Sequence, residues 1–265
     1  MKLFLHRLLT FFKTFHLDSL RFLSDRSKFI QYLRDVNTIN FSYALSPIRA
    51  LTLSELLGEE FRACVDIPFG YVKHGSCTLA DLACLAAIAK KKRSKRVFEI
   101  GTFEGLTSVV FAKNSDAAVR VYSLDLALEK DVPRTRRSFQ AQSIKESYRS
   151  GYLIDVLGCG HQVERLYGDS ALFDFRKYED SIDLFFIDGA HTAEYVARDS
   201  LTAFRAVSAN GWILWHDCFV PDIVKILRRI AKYHPVFHVT GTNLALSLQK
   251  PAASFPADLL EFKIR

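Results

Sequence analysis

From Val97 to Leu248 the chain alternates short apolar runs with amphipathic stretches, and each of the first five runs ends on glycine or aspartate. No other feature constrains the fold as strongly, because short apolar runs separated by helical segments pack as parallel strands joined by crossover helices. Strands are expected at Val97–Ile100, Val119–Leu124, Gln162–Tyr167, Ile182–Asp188, Trp212–His216, Val236–Val239 and Leu244–Leu248. Helices are expected after Gly105, within 134–149, after Ser170, from Thr192 to Val207 and from Asp222 to Lys232. Only Thr240-Gly241-Thr242-Asn243 separates the last two strands, so they should pair as an antiparallel hairpin. Upstream, Thr52-Leu53-Ser54-Glu55 is a capping-box pattern, and Thr78-Leu79-Ala80-Asp81 opens an Ala/Leu helix that runs into Lys90–Arg96. The cations of that run suit a solvated helix end. A nuclear signal or an anion patch is the sharper reading.

The strand ends carry the chemistry, since ligands of open α/β sheets bind outside the carboxyl ends of the strands. The first is Glu99-Ile100-Gly101-Thr102-Phe103-Glu104-Gly105, where glycines permit a tight turn and the following helix presents free N–H groups. Its spacing is G-x-x-x-G, not the G-x-G-x-x-G of a dinucleotide-binding turn. Asp125 ends the second strand, where a carboxylate can accept both hydroxyl hydrogens of a ribose. Gly168-Asp169-Ser170 follows the third strand, Ile187-Asp188-Gly189-Ala190-His191 the fourth, and Trp215-His216-Asp217 the fifth.

With these motifs in view, residues 78–250 resemble a class I S-adenosylmethionine-dependent methyltransferase. EIGTFEG, GDS, FIDGAH and WHD are similar to the small-molecule O-methyltransferases related to the catechol, caffeoyl-CoA and macrolide-sugar enzymes. The resemblance implies a Rossmann-like, doubly wound α/β sheet of seven strands in the order 3-2-1-4-5-7-6, with strand 7 antiparallel. It also implies that Glu99, Gly101, Thr102, Phe103, Gly105 and Asp188 line the cofactor, that Asp125 holds its ribose, and that Asp169 and Ser170 contact its adenine. In metal-dependent relatives, acids ending strands 4 and 5 hold a divalent ion. Asp188 and Asp217 match two of those positions, while His216 stands where relatives often carry another carboxylate. Two routes to a nucleophilic oxygen follow. Either Mg²⁺ or another divalent cation held by Asp188, Asp217 and His216 lowers the acceptor's pKa, or His216 or His191 removes the hydroxyl proton.

The net charge of +7 raises nucleic acid or an anionic surface as a partner. The charge is uneven: residues 1–96 carry +8 and residues 97–265 carry −1, so the motif-bearing part is nearly neutral and no nucleic-acid partner is expected. A base N-methyltransferase would in addition resemble its family in an Asp/Asn-Pro-Pro-aromatic loop after strand 4, where this chain has Asp188-Gly189-Ala190-His191. Residues 1–77 read as an N-terminal helical appendage and 78–265 as the catalytic domain. Within the appendage, residues 1–36 place Phe4, Leu5, Leu8, Phe11, Phe12 and Phe15 on one helical face. That face suits either packing on the domain or a second subunit of a homo-oligomer, or peripheral contact with a membrane. Segment 126–160, with Lys130, Arg134, Arg136, Arg137, Lys145 and Arg149, is either a solvated helix or an insertion able to close over an anionic acceptor.

Five cysteines without a C-x-x-C pattern suggest reduced thiols, and His6 and Arg7 interrupt the apolar N-terminus, so a cytoplasmic enzyme is expected. The expected activity is methyl transfer to a hydroxyl of a small molecule or glycan precursor. A nicotinamide oxidoreductase and a non-catalytic S-adenosylmethionine-binding protein are the alternatives.

Overall fold

The computed structural model describes residues 48–73, 75–126 and 150–252. The chain separates into two units at Phe41/Ser42, and every described residue falls in the second. The amphipathic stretch 1–36, the helix expected within 134–149 and the cations Lys130 to Arg149 lie outside the described residues.

Eight strands form one sheet: β1 (Arg49–Leu51), β2 (Arg96–Ile100), β3 (Arg120–Asp125), β4 (Val163–Tyr167), β5 (Ile182–Ile187), β6 (Val207–Trp215), β7 (Phe237–Val239) and β8 (Ala245–Ser247). Their order is β1-β7-β8-β6-β5-β2-β3-β4. Counted from Val97, seven of them follow the expected 3-2-1-4-5-7-6 order, with β8 antiparallel to both β6 and β7. Among the described residues the strand count is corrected to eight. Arg49–Leu51 pairs in parallel with Phe237–Val239 at the sheet edge, and three largely exposed residues carry no alternation by which a sequence could announce a strand.

The helices are α1 (Leu53–Leu57), α2 (Leu79–Lys92), α3 (Leu106–Asn114), α4 (Tyr152–Val156), α5 (Ala193–Ala206) and α6 (Pro221–Ile230). Both Thr-led starts are true capping boxes: Thr52 pairs with Glu55, and Thr78 pairs with Asp81. After Ser170 there is no helix. The Asp169 carboxylate accepts from Ala171 N, the Asp169 carbonyl accepts from Leu172 and Phe173, and Asp174 accepts from Arg176 N. These local bonds divert the backbone into two turns, the second a 3₁₀ turn at Arg176–Tyr178.

The sheet centre is apolar on both faces, as a sheet covered on both sides requires. On one face Phe98 stacks on Phe185 at 5.0 Å and meets Tyr178 edge-on at 4.8 Å. On the other, Val97, Leu184, Phe186 and Leu214 pack with Leu82 and Leu85 of α2 and Val109 and Val110 of α3. Residues 48–77, read from the sequence as part of the appendage, supply β1 and α1, and Leu57 and Cys77 join this core. Among the described residues no helix is long and apolar enough to cross a membrane.

Thr78 both caps α2 and donates to Asp81 from its backbone and its hydroxyl, at 3.0 and 2.7 Å. Thr78→Ala is expected to lower the unfolding free energy by about 1 kcal/mol, the usual cost of a lost N-cap. A urea midpoint equal to the wild type's would refute this.

Candidate functional site

The loop from β2 to α3 is shaped by contacts that only glycine permits. A Cβ on Gly101 (φ +96°) would lie 2.1 Å from the Asp188 carbonyl oxygen, so this loop runs directly against the end of β5. A Cβ on Gly105 (φ +90°) would meet Ile154 at 2.9 Å and Gly151 at 3.0 Å, where α4 packs against the turn. Between the two glycines Phe103 also has positive φ (+47°). The loop is held by Gly101 N donating to Leu124 O and by Gly151 N donating to Phe103 O, each at 2.8 Å. Lys73 pairs with Glu104 at 2.6 Å, tying the segment ahead of α2 to the same turn.

Beneath the loop, Glu99 is fully buried. Its Oε2 accepts from Ser108 and, at 2.6 Å, from Ser123, while Oε1 has no partner among the described residues. Burial outweighs those bonds and pushes its pKa up to about 8. Thr102, also buried, shares a hydroxyl hydrogen bond with Ser123 at 2.8 Å.

Asp125 ends β3 as expected, accepting from Ser150 Oγ at 2.6 Å and from Leu126 N at 2.9 Å, and burial raises its pKa despite those bonds. Asp169 accepts from the Tyr195 hydroxyl at 3.1 Å. Behind Ser170 the fully buried Asp199 of α5 is pushed up to about 7 by burial, with the nearby Ser170 hydroxyl opposing that shift. The sequence reading missed Ser150, Tyr195 and Asp199, because each reaches the site from an element that carries no motif of its own.

The ends of β5 and β6 bring four predicted residues together. His191 Nε2 lies 2.8 Å from Asp217 Oδ2 and 3.9 Å from Asp188 Oδ1. His216 Nδ1 lies 3.1 Å from Asp188 Oδ1 and 3.5 Å from Asp217 Oδ1. The other His216 nitrogen reaches Asp81 Oδ2 at 3.2 Å. Asp81 is wholly buried and also accepts from Asn243 N at 2.7 Å and Asn243 Nδ2 at 3.2 Å. Burial disfavours charge on His216, but the Asp188 and Asp217 carboxylates outweigh it and hold its pKa well above the ordinary value. In His191 the Asp217 carboxylate likewise outweighs burial and raises the pKa. Asp217 itself has φ +50°, in the left-handed region that aspartate enters more readily than most residues.

A hard cation such as Mg²⁺ takes mostly oxygen ligands in near-octahedral geometry. Among the described residues the three-donor groups here are Asp188, His191 and Asp217, and Cys77, Asp188 and His216. Asp188 and Asp217 offer two carboxylates, the number Mg²⁺ commonly takes from a protein while water fills its other positions, so these two residues would hold such an ion and it would lower the pKa of an acceptor hydroxyl.

Residues 98–218 match the sequence model of a methyltransferase domain family. Among solved structures, the chain is similar to an S-adenosylhomocysteine-bound methyltransferase, PaMTH1, of Podospora anserina, with 14% identity, a TM-score of 0.50, and coverage of 79% of this chain and 93% of that one. It is also similar to an S-adenosylhomocysteine-bound O-methyltransferase of Bacillus cereus (15%, 0.49, 68% and 86%). A third is the O-methyltransferase TomG of Streptomyces achromogenes, involved in tomaymycin synthesis and solved with S-adenosylmethionine (18%, 0.47, 66% and 82%). No curated protein matches the sequence. At 14% identity the likeness to PaMTH1 speaks for the fold alone.

Gly101→Ala is expected to abolish ligand binding at this loop, because its Cβ has no space at 2.1 Å from a backbone oxygen. A Gly101→Ala protein that is folded and binds normally would contradict that geometry. Glu99 gives a pH signature. Its pKa is 4.5 ordinarily and about 8 in the fold, so between these values the native state holds one proton more than the unfolded chain and stability falls as pH rises. Relative to wild type, Glu99→Gln should therefore gain stability from pH 5 to about 8 in thermal melts. A difference that stays flat over that range would sink the assignment.

Proposed function

We infer that this chain, a class I S-adenosylmethionine-dependent methyltransferase by its sheet order and by the family that residues 98–218 match, methylates a hydroxyl oxygen of a small molecule or glycan precursor. The observation that carries the acceptor half of this reading is the His191–Asp217 pair, 2.8 Å apart, at the strand ends beside the Gly101 loop.

Each residue has a physical task. Asp125 offers a carboxylate to the ribose hydroxyls, with Ser150 holding its orientation. Asp169, fixed by Tyr195, and the adjoining Ser170 face the adenine end. Glu99 offers Oε1, which has no partner among the described residues, to the amino group of the methionine moiety, and Gly101, Thr102, Phe103 and Gly105 form the turn around it. S-adenosylmethionine, when bound, supplies the electrophilic sulfonium methyl.

On the acceptor side, His191 takes the hydroxyl proton and Asp217 steadies the resulting imidazolium, an arrangement suited to general-base work near neutral pH. His191 is the better placed of the two imidazoles, since its side chain is 19% exposed against 8% for His216. His216, tied between Asp81 and Asp188, orients Asp188 at the back of the site. Oxygen is the favoured acceptor atom because a base is useful only where a proton must leave before the methyl arrives.

Calorimetry on the full chain should show binding of S-adenosylmethionine and none of NADH; the reverse result would replace this reading with the oxidoreductase one. Asp125→Ala should weaken S-adenosylmethionine binding about 10–100-fold, as expected for lost hydrogen bonds to a charged group. His191→Asn should lower turnover by about 10²–10⁴ while leaving cofactor affinity unchanged. Undiminished turnover in that variant would remove His191 from the mechanism.

A further inference from the structure

We propose that Cys77, Asp188 and His216 form a site for a borderline divalent ion of the Zn²⁺ class at the ends of β5 and β6. Cys77 has no role in the methyl-transfer reading, and neither C-x-x-C spacing nor any strand-end motif marks it. Yet the fold delivers its sulfur to the end of β5: Cys77 Sγ lies 3.8 Å from Asp188 Oδ2, and His216 Nδ1 lies 3.1 Å from Asp188 Oδ1. The three donor atoms all fall within 4.8 Å of one another. Ligands at about 2.0–2.3 Å around a tetrahedral ion stand roughly 3.3–3.5 Å apart, so small side-chain movements close the set.

The chemistry of the donors selects the ion. Thiolate, imidazole and carboxylate together favour Zn²⁺ over Mg²⁺ or Ca²⁺, which prefer oxygen. Three protein ligands is the number found in zinc sites that keep an open position, whereas purely structural sites take four.

The surroundings provide the support that such sites require. A ligating imidazole normally donates its other N–H to a carboxylate, which fixes tautomer and ring orientation. Here His216 Nε2 faces the buried Asp81 at 3.2 Å, and Asp81 is itself held by Thr78 and Asn243. Thr107 Oγ1 donates to the Cys77 sulfur at 3.8 Å. Binding displaces the protons of the thiol and of His216 Nδ1 to solvent and changes no oxidation state.

The test uses the full chain, stripped of metal and carrying Cys64→Ser so that the exposed thiol contributes nothing. Titration with Co²⁺ should load one ion per chain with a near-ultraviolet sulfur-to-cobalt charge-transfer band. Zn²⁺ should erase the band stoichiometrically, and a thousandfold excess of Mg²⁺ should leave it. In Cys77→Ser the band should vanish and Co²⁺ affinity should fall at least tenfold. If that variant does not fold, X-ray absorption of the Zn²⁺-loaded Cys64→Ser protein decides the matter: one sulfur at about 2.3 Å is expected. No bound Co²⁺, Co²⁺ bound without the band, a band that survives Cys77→Ser, or a shell of nitrogen and oxygen alone would each overturn the site. S-adenosylmethionine binding, measured by calorimetry on the same preparations, reports on the methyltransferase reading separately.

Discussion

One buried carboxylate, Asp81, joins three parts of the chain that meet nowhere else in sequence. It closes the capping box of α2, accepts two hydrogen bonds from Asn243 in the turn between β7 and β8, and faces His216 at the end of β6. A buried charge is tolerated only where it is thoroughly paired, and here each partner satisfies a different requirement. The backbone bonds at the cap fix where α2 begins, the Asn243 bonds fix the hairpin turn against the helix, and the imidazole carries the opposing charge. His216 then passes the constraint on to Asp188, whose carbonyl leaves room only for glycine at position 101. The Gly101 loop and the ends of β5 and β6 are thus positioned through a single chain of contacts that begins at a helix cap.

Most of the sheet was legible because its information is local. Apolar runs ending in Gly or Asp mark β2 to β6, the four-residue turn marks the final hairpin, and the Thr-led boxes mark α1 and α2. The losses have physical causes. Strand β1 is three residues long and held mainly by its pairing with β7, and the stretch after Ser170 had helical composition but surrendered its backbone bonds to Asp169 and Asp174.

The site divides along the same line. Glu99, Asp125, Asp169, Asp188, His191, His216 and Asp217 sit at strand ends, where pattern and position coincide. Asp81, Cys77, Ser150 and Tyr195 arrive from elements that carry no ligand-binding pattern. Asp81 is 135 residues from His216, a separation across which no local periodicity can speak. Asp81 was visible as the start of a helix, but the identity of what it holds depends on the completed sheet.

The placement of β8 has a consequence for biosynthesis. Among the described residues it is the last strand, and yet it lies inside the sheet, hydrogen-bonded to β6 on one side and β7 on the other. Until residues 245–247 have left the ribosome, β7 and the β1 strand paired with it have no bonded route to the other strands. The Asn243 turn that steadies Asp81 is equally absent. The nascent chain can therefore pair β2 to β6 while β7 and β1 still wait for the strand that joins them to the sheet.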